Sequence, residues 1–98
     1  MNPFDLIKNM QSLQSQMQQM QSKLDQLRAT GSAGAGMVEV TINGKMEVQS
    51  IHIAPEVVDP SDISTLEVLI ASAFNGAVQD IQEQLKSQAT SLAGGMPV

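Results

Sequence analysis

The chain has 98 residues and no cysteine, which excludes disulfides, thiolate metal sites and cysteine nucleophiles. Hydrophobic residues make up 42% of it but only two residues are aromatic, so the core must be built from aliphatic side chains and methionine. The net charge of −5 means that the surface as a whole does not attract a polyanion such as a nucleic acid. A chain this short can bury more apolar surface by forming a dimer.

Residues 3–28 are predicted to form a long first helix. Asn2 suits the N-cap, Pro3 the first helical position and Asp5 the positive end of the helix dipole. Apolar residues then recur at alternating steps of four and three, a pattern typical of a coiled-coil seam. The seam residues are Leu6, Met10, Leu13, Met17, Met20, Leu24 and Leu27. Mostly Gln and Asn flank the seam, so its charges select a partner only weakly.

A glycine-rich stretch at 29–36 is expected to end this helix and to act as a flexible joint. Residues 37–54 then alternate between apolar and polar side chains, which predicts antiparallel strands that form a hairpin or a three-stranded sheet. The pair Asn43-Gly44 is typical of a two-residue hairpin turn. The chain therefore passes from helix to sheet near residue 37.

The side-chain phase of the two strands conflicts with that short turn. Val40 and Ile42 would share a face with Lys45 and Glu47, whereas Val48 would point to the other face. A bulge near residues 49–50 resolves the conflict, and so does a sheet covered on both faces. The sequence leaves both possibilities open.

A second long helix is predicted over residues 60–90. Asp59-Pro60-Ser61-Asp62 repeats the start pattern of the first helix, with a cap, a proline and an acid. The apolar residues that follow form a broad stripe, wide enough to pack on a sheet and on another helix. They are Ile63, Leu66, Ile70, Ala73, Phe74, Ala77, Val78, Ile81 and Leu85. Residues 91–98 are expected to form a flexible tail, which completes one domain over 1–98.

The sequence contains no recognisable catalytic or metal-binding constellation. His52 is the only histidine and is expected to be an ordinary strand residue. Asp59 and Asp62 fit helix capping better than a catalytic carboxylate pair. The glycines of 29–36 follow a helix and precede a strand, which is the wrong order for a phosphate-binding P-loop. We therefore expect a protein that is not an enzyme and uses no cofactor, metal or small-molecule substrate.

Basic residues are few and concentrate in the first helix. Residues 3–28 hold three cations against two acids, whereas residues 59–98 hold one lysine against five acids. Lys8, Lys23 and Arg28, with Lys86 as a weaker candidate, are either phosphate contacts or scattered solubilising charges. If a phosphate-binding surface exists, the first helix carries it.

Four blocks of the sequence resemble a known family. They are the segment Thr30–Gly44, the segment Ile51–Pro55, the pair Leu66-Glu67 and the segment Ala73–Ala77. Their order, spacing and preceding Gln- and Met-rich helix are similar to those of the YbaB/EbfC family of bacterial nucleoid-associated proteins. The resemblance implies a helix-sheet-helix protomer of the α+β class, a homodimer, and helical projections that bind duplex DNA with little sequence preference and alter its conformation.

The resemblance also implies where the dimer interface and the DNA-binding surface lie. The strands and the second helix would build the dimer, with an interface at Val40, Ile42, Leu69, Ala73 and Phe74, while the first helices reach around DNA. No signal peptide or membrane span is recognisable, so the expected location is the cytoplasm and the nucleoid. Two alternatives without a DNA role remain, a coiled-coil adaptor and a prefoldin-like holdase that captures clients on its Met-rich seam.

Overall fold

The protein forms two long helices and a three-stranded antiparallel sheet. The computed structural model describes the backbone of residues 2–94 and the side chains of residues 2–89. The elements in chain order are α1 (Pro3–Gln26), β1 (Ala29–Ala33), β2 (Val38–Ile42), β3 (Val48–Ile53), a 3₁₀ turn (Pro55–Val57) and α2 (Ile63–Gly94). The sheet order is β1-β2-β3. This architecture confirms the predicted α+β class.

Helix α1 starts as predicted and projects from the rest of the protein. The Asn2 side chain accepts a hydrogen bond from the Phe4 amide at 3.1 Å, and Pro3 occupies the first turn. None of the residues in α1 is buried. The radius of gyration is 19.8 Å, against about 13 Å for a compact domain of 100 residues. The protomer is therefore elongated.

The structure corrects the prediction of a flexible joint at 29–36. Ala29–Ala33 is strand β1, which pairs antiparallel with β2 so that Ala29 faces Ile42. The glycine in this strand serves close packing, because a Cβ atom on Gly31 would lie 1.9 Å from the Ala73 carbonyl oxygen. Within residues 29–36, left-handed backbone is confined to the turn after β1, including φ of 64° at Gly34.

The hairpin between β2 and β3 contains a bulge, which confirms one of the two predicted resolutions of the register conflict. Thr41 pairs with Ser50 but Ile42 pairs with Val48, so Gln49 is the extra residue. The turn differs from the predicted two-residue type. The Asn43 amide donates to the Glu47 carbonyl at 3.0 Å, which leaves a three-residue connection. This register brings the apolar residues of β3 to the face that α2 covers.

The core lies between α2 and the face of β1 and β2. Its fully buried residues are Ala29, Val38, Val40, Ile42, Ala73, Ala77 and Ile81. Small residues of α2 oppose the sheet, which lets helix and sheet backbones approach closely. Most of β3 extends beyond the helix. The opposite face of the sheet is polar, and its residues Glu39, Ser50 and His52 are exposed, so the described part of the protomer leaves it uncovered.

Helix α2 begins three residues later than predicted. Pro60 and Ser61 form a turn in which the Asp59 carboxylate accepts from both the amide and the hydroxyl of Ser61. The Asp62 carboxylate, next to the helix start, accepts from the Thr65 hydroxyl at 2.6 Å. The helix extends to Gly94, into the segment expected to be a tail, and residues 95–98 lie outside the described part of the chain.

Candidate nucleic-acid interface

Two of the predicted basic residues, Lys8 and Lys23, lie on the exposed surface of α1. Lys8 and Lys23 are separated by 15 positions, which corresponds to roughly 22 Å along the helix axis and about 60° around it. Lys8 faces away from the apolar seam, whereas Lys23 flanks it and lies beside the seam residues Met20 and Leu24. The seam itself faces solvent, since Met10, Met17 and Met20 are 61–66% exposed. Helix α1 therefore presents an apolar seam with one cation opposite it and one cation at its edge.

Arg28 follows the C-terminal end of α1, which we call the base of the helix, and its side chain forms hydrogen bonds there. Its guanidinium Nη1 donates to the backbone carbonyls of Asp25 and Leu27, the latter at 2.9 Å. Cations stabilise the carboxyl end of a helix because the carbonyls there lack helical partners. The structure therefore gives Arg28 a role at the end of the helix.

Lys86 is separated from the cations of α1. It lies on the surface of α2 beside Gln79, Gln82 and Glu83. The opposite side of α2 faces the end of α1, since Gln88 lies beside Gln19 and Lys23. On the same side the Gln84 amide donates to the Arg28 carbonyl at 3.0 Å. Lys86 and the lysines of α1 therefore do not form one continuous surface within the protomer.

Sequence reasoning missed the fifth basic residue, Lys45. Its ammonium nitrogen lies 3.1 Å from a carboxylate oxygen of Asp25 and forms the ion pair seen among the described residues. Lys45 belongs to the β2–β3 turn, 20 positions from its partner. Nothing in the local sequence indicates that this turn reaches the base of α1, so the pairing could be found only from the three-dimensional structure.

The five predicted interface residues occupy different depths of the protomer. Val40, Ile42 and Ala73 are at most 1% exposed and belong to its own core. Leu69 is half-buried, with its side chain against Gly34 at the end of β1. Phe74 is half-buried at the edge of the core. Of these five residues, only Leu69 and Phe74 reach the surface of a single protomer.

The same face of the sheet continues beyond α2 as an apolar surface. Val48 and Ile51 of β3 share this face with Ile42 and Val40, yet they are 48% and 51% exposed. Helix α2 packs over β1 and β2 and leaves most of β3 uncovered. We call the surface formed by Val48 and Ile51 the uncovered half of the sheet.

The flanks of α2 can be assigned to the two edges of the sheet. Val68, Ser72 and Gln79 line the surface next to Ser32 of β1. Positions 74 and 78 lie on the other flank of the helix, because successive residues turn by about 100°. Phe74 and Val78, both half-buried, therefore border the uncovered half of the sheet.

The titratable groups show no arrangement typical of catalysis. His52 is exposed on the polar face of the sheet, paired across the strands with Glu39. The Ser61 hydroxyl, and then the Ser61 amide, hold the pKa of Asp59 below its ordinary value by hydrogen bonding to its carboxylate. Within the described residues, no three His, Asp or Glu side chains are placed to share a metal ion. No helix of the described part is long and apolar enough to cross a membrane.

An exposed helix with spaced lysines, a three-stranded sheet and a second long helix define a small α+β protein with a projecting polar helix. The model of the YbaB/EbfC DNA-binding family matches residues 1–96. The chain belongs to this family. A nucleoid-associated protein of Clostridium botulinum is 47% identical over 96 residues, which is 98% of this chain and 85% of that protein. One of Paramagnetospirillum magneticum is 42% identical over 92 residues, covering 94% and 86% of the two chains.

A solved structure supports the fold independently. The chain is similar to an uncharacterized protein from Helicobacter pylori with a TM-score of 0.71. The similarity covers 95% of this chain and 98% of the other at 22% sequence identity. At this level of identity the likeness establishes the shared fold alone.

Proposed function

We propose that the protein is a nucleoid-associated protein that acts as a homodimer and binds duplex DNA through α1, with little sequence preference. The observation that carries the proposal is the pair Lys8 and Lys23, two exposed cations spaced along a projecting helix with no buried residue. Membership of a DNA-binding family and the names of the curated relatives support it. Cytoplasmic location in the nucleoid and an effect on DNA conformation and gene expression belong to the same proposal.

The charge distribution favours contact with phosphates over base reading. The net charge of −5 gives no general attraction to DNA, so the binding surface must be local. Lysine contacts phosphate as a point charge, and phosphate contacts carry no sequence information directly. Neighbouring Gln and Ser side chains can add hydrogen bonds to the DNA backbone. Arg28 and Lys86 are secondary candidates, since one is engaged at the helix end and the other lies on α2.

The uncovered half of the sheet supports dimer formation. Val48 and Ile51 are half-exposed β-branched residues on a face that is otherwise core, and Phe74 borders them. A second copy that uses the same surface would give a two-fold interface, the commonest arrangement of homodimers. In this proposal Val40, Ile42 and Ala73 lie in the core of each protomer, beneath the interface. Leu69 lies on the opposite flank of α2, next to Gly34 after β1.

The DNA proposal is tested with charge-neutral variants of α1. We expect the double variant Lys8→Gln, Lys23→Gln to bind a labelled 30-base-pair duplex much more weakly than the unmodified protein in fluorescence anisotropy, because each dimer loses four phosphate contacts. Glutamine preserves the helix, since its helical propensity is close to that of lysine.

The matched control is Lys45→Gln, which removes one positive charge from a lysine that is already paired with Asp25. We expect its affinity for DNA to change less than that of either single α1 variant. Equal losses in Lys45→Gln and in the single α1 variants would count against direct phosphate contacts by Lys8 and Lys23, because they would indicate a general effect of charge or of the contact between Lys45 and α1.

A coiled-coil adaptor without a DNA role is the second candidate. The exposed seam favours it, because Met10, Leu13 and Met17 are about 60% exposed and no residue of α1 is buried. Another helix with the same repeat could cover this seam by knobs-into-holes packing. A prefoldin-like holdase would use the same surface and would suppress the aggregation of an unfolding client, which a light-scattering assay measures.

A further inference from the structure

The β2–β3 turn is hydrogen-bonded to the base of α1. The Gly44 amide donates to the Leu24 carbonyl at 2.8 Å, near the end of the helix. That carbonyl also accepts from the Leu27 amide at 3.3 Å. Carbonyls in the last turn of a helix lack partners within the helix. The turn therefore supplies a hydrogen bond that ties α1 to the sheet.

Glycine at position 44 is required by this contact. A Cβ atom there would lie 2.7 Å from the Leu24 carbonyl oxygen and 3.0 Å from the Leu24 Cα. The φ angle of Gly44 lies outside the left-handed region, so an L-residue could adopt its backbone conformation. The close approach of the two backbones thus excludes a side chain at this position.

The turn is itself rigid. Asn43 is 3% exposed, and its side-chain oxygen accepts from the amides of Lys45 and Glu47 at 2.9 and 3.0 Å. Its side-chain nitrogen donates to the Glu47 carboxylate at 3.0 Å. A buried amide with both ends satisfied fixes one turn conformation. Outside this network, the ion pair of Lys45 with Asp25 adds a contact to the last turn of α1.

We propose that the turn of residues 43–47 sets the direction in which α1 projects, and that Gly44 is the positioning residue. The inference rests on the proposed binding of DNA by α1. A helix of 24 residues is about 36 Å long, so a tilt of about 10° at its base moves its far end by about 6 Å. Phosphates follow one another at about 3.4 Å along the axis of a DNA strand. A small change at the base therefore moves Lys8 off its phosphate.

The direction of α1 is measured by distance between two labels. The chain contains no cysteine, so Gln11→Cys on α1 and Glu39→Cys on β2 introduce unique labelling sites on exposed residues. Doubly spin-labelled chains diluted into excess unlabelled protein report the distance within one protomer. We expect a narrow distribution in the parent, and a broadened or displaced one after Gly44→Ala. An unchanged distribution overturns the inference.

Two variants separate positioning from unfolding. Gly76→Ala is the control, because its Cβ would meet its nearest neighbour, the Gly31 Cα, at an ordinary 3.6 Å, and it should leave the distance unchanged. Lys45→Glu replaces the attraction to Asp25 by repulsion at an exposed site, and it should displace α1 while circular dichroism shows an intact fold. An unchanged distance in Lys45→Glu, together with loss of fold in Gly44→Ala, would also overturn the inference.

Binding to a 30-base-pair duplex completes the test. If the α1 helices of both protomers must bind the same duplex together, Gly44→Ala weakens the affinity by about tenfold or more, because the two helices can no longer bind at once. Displaced labels with unchanged affinity would contradict the positioning role. If the unmodified protein binds no duplex, the proposed function fails, and the distance measurement alone decides whether the turn directs α1.

Discussion

Glycine residues in this protein mark places where two backbones meet. Gly31 of β1 lies against α2, where an added Cβ would be 1.9 Å from the Ala73 carbonyl oxygen and 2.4 Å from the Ala77 amide nitrogen. The sequence shows Gly31 only as part of a glycine-rich stretch, which favours a flexible joint. The helix that packs on this glycine is more than 40 positions away, so local sequence could not reveal its role.

The two glycines of this contact are expected to respond differently to the same substitution. Gly31→Ala should lower the free energy of unfolding by about 3 kcal/mol, because two backbones must separate to admit the methyl group. Gly76→Ala, on the helix side of the contact, should raise it by about 0.5–1 kcal/mol through helix propensity. Urea denaturation followed by circular dichroism measures both. Similar effects of the two variants would contradict the described packing.

Helices were the most predictable elements. The cap at Asn2 and the position of Pro3 determine the start of α1 through local chemistry, and the structure agrees. The start of α2 was predicted three residues early because Asp59, Pro60 and Ser61 make a separate turn that has similar sequence chemistry. The structure has a bulge at Gln49. The apolar pattern indicated a bulge near this position but was equally compatible with a sheet covered on both faces.

The apolar seam of α1 distinguishes the two candidate functions. Met10→Gln with Met17→Gln replaces two exposed seam side chains that are not surface neighbours of Lys8 or Lys23, at nearly unchanged helix propensity. We expect DNA affinity, measured by anisotropy, to remain close to that of the unmodified protein. A large loss of affinity would show that the seam takes part in DNA binding or in shaping the dimer. The adaptor function instead predicts loss of partner binding in this variant.

At the scale of the whole molecule, the protomer has an apolar surface that a second copy could cover. We expect light scattering at micromolar concentration to give twice the chain mass of 10.4 kDa. Ile51→Asp should give the single-chain mass, because it would bury an unpaired charge in the interface. The control Val68→Asp changes a residue that is 66% exposed on the other flank of α2 and should remain dimeric. A dimer in both variants would exclude the uncovered half of the sheet as the interface.

The placement of charges is what the sequence predicted least well. It identified α1 as the element with spaced cations, because local composition is visible without a fold. It could not show that Arg28 caps the helix end, that Lys86 lies on a separate surface, or that Lys45 pairs with Asp25. These relations depend on how the hairpin and α2 pack around the base of α1.

The salt dependence of DNA binding is the sharpest test of whether basic residues of the protein contact DNA phosphates. If each protomer of a dimer neutralises two to three phosphates with its basic residues, the logarithm of the affinity should fall with the logarithm of salt concentration at a slope of about −4 to −5. Anisotropy titrations of two unrelated 30-base-pair duplexes at several salt concentrations give this slope. Both duplexes should bind with similar affinity and share this slope. A slope near zero, or no binding at low salt, would contradict DNA binding through phosphate contacts.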